Sequence, residues 1–162
     1  MARLRFHGLL LALLLLAGVA GAACSRGSDA GKAAGAAQGS LGGTLSDDDG
    51  KITLKVTWDG QSDPLVFQVG MDTHSVDLDG YDLAALSVLR TDRGEMRPRG
   101  WEAPKGGHHR EGTLTFDAAT ARTALSLGSG ASYIELAVLD VGAKPERVFR
   151  WDLSTAPGAA AR

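Results

Sequence analysis

The chain has 162 residues, 44% hydrophobic and 22% charged, which is enough for one domain with a sizeable core and short of what two would need. Its net charge of -2 conceals an asymmetry: the first 23 residues hold two arginines and no acid, and the remainder carries 15 basic against 19 acidic residues. A mildly acidic domain lacks the basic face that phosphate neutralisation demands, which argues against a nucleic-acid partner, and a single cysteine excludes an internal disulfide framework.

Residues 1–23 place Arg3 and Arg5 before the apolar run GLLLALLLLAGVA and end on small residues at Cys24. A charged start, a short apolar stretch and a small-residue junction describe an export signal, too short to be read first as a spanning helix. His7 leaves with it. The segment resembles a bacterial lipoprotein signal, in which cleavage before the cysteine is coupled to acylation of its thiol. Gly21 stands where that family usually has leucine, so ordinary secretory cleavage is the alternative. The resemblance covers these 24 residues alone and implies lipid attachment at Cys24, a bilayer partner reached through acyl chains, and a place in the cell envelope, at the periplasm or outer surface.

Residues 24–50 are rich in Gly, Ala and Ser with few large apolar side chains. Such a stretch has little to bury against the entropy of ordering, and it reads as a flexible tether. The acidic triplet Asp47, Asp48 and Asp49 reads as a solvated end to that tether, with a weak calcium loop as the alternative.

The folded domain is expected over residues 51–154. Ile52, Leu54, Val56 and Trp58 alternate with polar residues, and Leu65, Phe67, Val69 and Met71 do so again, the period of half-buried strands. The phase then changes at Val76 and Leu78, which predicts a bend at residues 73–75 that carries His74. Leu83 to Thr91 reads as a further strand, residues 96–101 as a short one broken by Pro98, and Thr113 to Asp117 as another. Ala118 to Leu127 has room for a helical turn. Tyr133 to Val141 and Arg147 to Leu153 close the domain, and residues 155–162 form a disordered tail. Seven to eight short strands separated by turn signals predict an all-β, antiparallel sandwich of immunoglobulin-like or cupredoxin-like form.

The chemistry concentrates in two stretches, Met71 to Tyr81 (MDTHSVDLDGY) and Gly106 to Phe116 (GGHHREGTLTF), which hold the three remaining histidines. Imidazole suits copper, zinc and nickel, so His74, His108 and His109 form a candidate ligand set, with Met71 as a soft fourth ligand favouring copper(I). Asp72 and Glu111 are candidate outer partners that hold an imidazole N–H. His108 and His109 can serve one ion only if the chain there is not extended, which Gly106 and Gly107 permit. The competing reading makes the histidines structural, bonded to backbone groups at the bend and loop. Asp77, Asp79 and Asp82 around Gly80 offer a possible calcium loop, against Asx-turn chemistry. Trp58 and Trp151 fit core positions, whereas Trp101 sits in a loop and is expected to be exposed.

Catalysis finds no support: no serine elbow and no phosphate loop is present, and no nucleophile accompanies a His–Asp72 or His–Glu111 pair or an anion-holding Arg110. The expectation is a non-enzymatic, exported module that binds copper or zinc. The alternative is a module that docks an envelope protein partner through the histidine loop and Trp101, its histidines serving as scaffold.

Overall fold

Alternation of apolar and polar side chains builds two sheets whose apolar faces meet. The computed structural model describes residues 37–39 and 41–153. In chain order the strands are β1 (Ala37–Gly39), β2 (Gly43–Asp48), β3 (Ile52–Trp58), β4 (Leu65–Thr73), β5 (Ser87–Thr91), β6 (Gly94–Met96), β7 (Gly100–Glu102), β8 (His109–Phe116), β9 (Tyr133–Val141) and β10 (Lys144–Asp152). Two short helices, α1 (Leu83–Leu86) and α2 (Ala118–Ala124), sit between them. One sheet runs β1-β10-β9-β5-β6 and the other β2-β3-β4-β8-β7, all antiparallel except for β1 on β10. This is the all-β antiparallel sandwich that the alternation predicts. Of the ten strands among the described residues, β1, β6 and β7 have three residues each, and the short strand expected over 96–101 is instead divided into β6 in one sheet and β7 in the other, with Pro98 between them.

Inward positions of β3 and β4 are buried at every second residue, as is Met71 near the end of β4. Between the sheets Trp58, Phe67 and Trp151 meet with ring centroids 5.6–6.1 Å apart, and Phe116 stands edge-on to Phe67 at 5.6 Å. Each such pair adds about 0.5–1.5 kcal/mol beyond the area it buries. The indole N–H groups of Trp58 and Trp151 donate to the carbonyls of Gln61 and Gly43. Both tryptophans are core, as expected.

Two expectations need correction. Leu83 to Thr91 is not one strand: Asp82 accepts from the Ala84 N–H and caps the single helical turn α1 before β5 begins. The second concerns the tether, because folded structure begins before Lys51. Strand β2 pairs with β3 from Gly43↔Trp58 to Asp48↔Thr53, and β1 pairs with β10.

The reason β2 holds is ionic. Arg147 on β10 has a side chain 0% exposed, and its guanidinium reaches the carboxylates of Asp47 and Asp49 and the carbonyls of Val141, Asp47 and Ile52. Lys144 adds a bond to Asp47 at 2.7 Å. Asp49 also accepts from the N–H groups of Lys51, Ile52 and Ala143. The β9–β10 hairpin turns at Gly142 with φ +75°, where a Cβ would collide with the Asp49 carboxylate and the Arg147 guanidinium, so glycine is required on two counts. The acidic triplet is therefore largely an anchor for a buried arginine.

No helix among the described residues is long and apolar enough to cross a membrane. Residues 1–23, Cys24, most of the tether and the 155–162 tail lie outside the described residues.

Candidate functional site

The site forms where β4 ends and β8 begins. Strand β4 stops at Thr73, whose N–H donates to the His108 carbonyl and whose hydroxyl donates to the Lys51 carbonyl. His74 follows in a bend and is exposed, with no hydrogen bond among the described residues. On the facing side, His109 N–H donates to the Gly106 carbonyl, closing a turn in which Gly107 has φ +62°. His108 is a turn residue and His109 the first of β8. The turn at His108 breaks the extended chain immediately before the strand that begins at His109. The bend and the turn bring all three histidines to one depression of about 400 Å3, which Asp48, Lys51 and Asp72 also line.

Each ring has a distinct setting. His108 donates from Nδ1 to the Val76 carbonyl at 3.0 Å. A carbonyl only accepts, so Nδ1 carries the proton and Nε2 of the neutral ring is left with its lone pair. His109 lies across the register from Asp72, and its Nδ1 makes a very short contact with the Asp72 carboxylate; Nε2 is 3.5 Å from Glu111. Hydrogen bonding to Asp72, then the charge of that carboxylate, raises the His109 pKa above the ordinary imidazole value. The same bond, against a smaller opposing effect of burial, lowers Asp72, with Lys55 3.5 Å away contributing. Both expected outer partners, Asp72 and Glu111, stand against this one ring.

The loop is braced from behind. The Asp79 carboxylate accepts from the N–H groups of Gly106 and Gly107, and the first of these bonds holds its pKa below the usual carboxylate range. Leu78 N–H donates to the Gly107 carbonyl. Arg110, 8% exposed, gives its guanidinium to the carbonyls of Leu78, Tyr81 and Pro104 and lies 5.7 Å over the Trp101 ring. It locks two loops together and offers no open anion seat.

Several expected site residues are placed elsewhere. Met71 is 0% exposed in the core, because successive residues of a strand point to opposite faces and Asp72 takes the outer one. Its thioether cannot reach the depression. Asp77 accepts from the Asp79 N–H and Asp82 from the Ala84 N–H, so with Asp79 tied to the 106–107 turn each carboxylate serves local backbone. Trp101 is half-buried on β7 against the core, its indole N–H enclosed without a partner, so the exposed loop tryptophan is corrected. Asp48, which the sequence offers only within the weak calcium loop of the acidic triplet, lines the histidine depression.

Among the described residues no three His, Cys, Asp or Glu side chains form a ready-made metal cage. No protein family matches the chain, and neither does any curated protein or solved structure.

Proposed function

We propose that the protein is an exported, lipid-anchored envelope module whose β-sandwich binds a transition-metal ion through His74, His108 and His109, as a carrier or sensor and not a catalyst. One observation carries the reading: histidines 34 positions apart in the chain meet in a single depression rimmed by carboxylates. The proton on His108 Nδ1 is committed to a carbonyl, which leaves Nε2 as the ligating atom, and Asp72 is placed to hold His109 as carboxylates hold metal-bound imidazoles.

Titration of the protein with zinc, nickel, copper(II) and copper(I) tests it. One ion per chain is expected, lost in His74→Ala and in the His108→Ala/His109→Ala double variant; equal binding by the variants, or none better than millimolar, would sink the reading. The anchor has its own test. Radiolabelled palmitate should enter the wild-type chain and not Cys24→Ser, and labelling of both would reject Cys24 as the attachment point.

A second reading draws on the bonds of His108 to Val76 and of His109 to Asp72, which also suit rings that brace a loop for docking an envelope partner. Loss of thermal stability in both histidine variants without any ion bound would favour it.

A further inference from the structure

We infer that the ion taken by this depression is a divalent one that favours nitrogen and oxygen ligands, of the zinc type, with the Asp48 carboxylate completing the histidine set in the place expected of Met71. The inference rests on the metal reading above and sharpens it to a class of ion. Three observations carry it.

The first is that no sulfur among the described residues lines the depression. Met71 is wholly inside the sandwich, Met96 is packed against the core, and neither lines the depression; its donors are imidazoles and the carboxylates of Asp48 and Asp72. Soft copper(I) draws its preference from thiolate and thioether ligands, whereas imidazole with carboxylate suits zinc, nickel and copper(II). The second is the state of Asp48. It is exposed at the end of β2, its Oδ1 accepts from the Gly50 N–H at 2.8 Å, and Oδ2 has no hydrogen bond among the described residues. That bond orients the carboxylate as outer hydrogen bonds orient metal ligands in general. The third is charge. Lys51 lines the same depression and Lys55 stands 3.5 Å from Asp72, so a dication entering there needs a carboxylate of its own to offset the two ammonium groups.

The test uses the full chain in detergent, with zinc competed against a chromophoric chelator and its ligand shell read by X-ray absorption. Asp48→Asn keeps the Oδ1 acceptor for Gly50, and Met71→Leu conserves core volume. Circular dichroism of both variants checks that they fold. The shell should contain nitrogen and oxygen only, Asp48→Asn should weaken zinc about tenfold or more, and Met71→Leu should bind like wild type. Sulfur at about 2.3 Å, or wild-type zinc affinity in Asp48→Asn while His74→Ala loses it, overturns the inference and leaves the histidine site standing. Zinc held equally by wild type, His74→Ala and the double histidine variant removes the site itself.

Discussion

At the scale of single residues the chain invests its charges in pairs, and two of them set its response to pH. His109 is raised by Asp72, so whatever stability its protonated form confers is fully present below the ordinary imidazole midpoint and is lost as pH rises through the raised one. NMR titration of the ring protons should place the His109 midpoint above the ordinary value in wild type and return it toward that value in Asp72→Asn; no difference between the two would show that the pair does not form in solution. Because a proton and a metal compete for the same ring, zinc affinity should fall as the pH drops through that midpoint. Asp49 has the opposite sign. Burial pushes its carboxyl up, but the N–H groups of Ile52, Ala143 and Lys51 together with Arg147 outweigh it and hold it well below the usual carboxylate range. Its contribution is therefore present above the ordinary aspartate midpoint, about 4, and lost as the pH falls below it. Since Arg147 and Asp49 side chains are 0% and 2% exposed, Asp49→Asn leaves a buried cation short of a partner and should cost about 3 kcal/mol. Thermal unfolding would register this as a fall of roughly 10 °C or more, and an unchanged midpoint would mean that the ion pair contributes nothing.

At the scale of elements the same arginine decides where the domain begins. A chain starting at Lys51 retains β3 to β10 but loses Leu45 from the packed interior and both carboxylates from Arg147, and it should show no cooperative unfolding transition; one that keeps residues from 32 onward should unfold as the full chain does. Two matching transitions would show that β2 is dispensable. Strands β3, β4, β9, the Leu114–Phe116 end of β8 and the Phe149–Trp151 part of β10 were legible from buried aliphatic or aromatic positions, whereas the start of β8 read as loop because Arg110 and Gly112 stand at its inward positions. Strand β2 was not: one of its inward positions is Asp47, which scores as polar, and the partner that makes it an interior residue lies 100 positions along the chain. The α1–β5 passage was hidden for another reason, since LAALSVL is apolar without period and only the Asp82 cap marks a helix there. At the site, the meeting of His74 with His108 and His109 was legible from the bend and the glycine pair. The exclusion of Met71 followed from the strict in-and-out alternation of a strand and could have been drawn from sequence. Asp48 could not, because its position depends on β2 being folded at all.

At the scale of the whole molecule, the proposed site lies at one end of one sheet, where the chain turns from β4 and into β8, and the rest of the sandwich fixes that end in place through Arg110 and Asp79. The opposite margin of the fold has a different character. Strand β1 is laid along β10 for only three residues, and β2 follows it in the other sheet. Under the proposed anchor at Cys24, a pull from the membrane would reach β1 and its three residues of pairing first. The pull would then meet β2, riveted by Arg147 and Lys144 to the last hairpin of the chain. On that proposal β1 would act as a mechanical fuse and the buried arginine as its stop, ahead of the histidines.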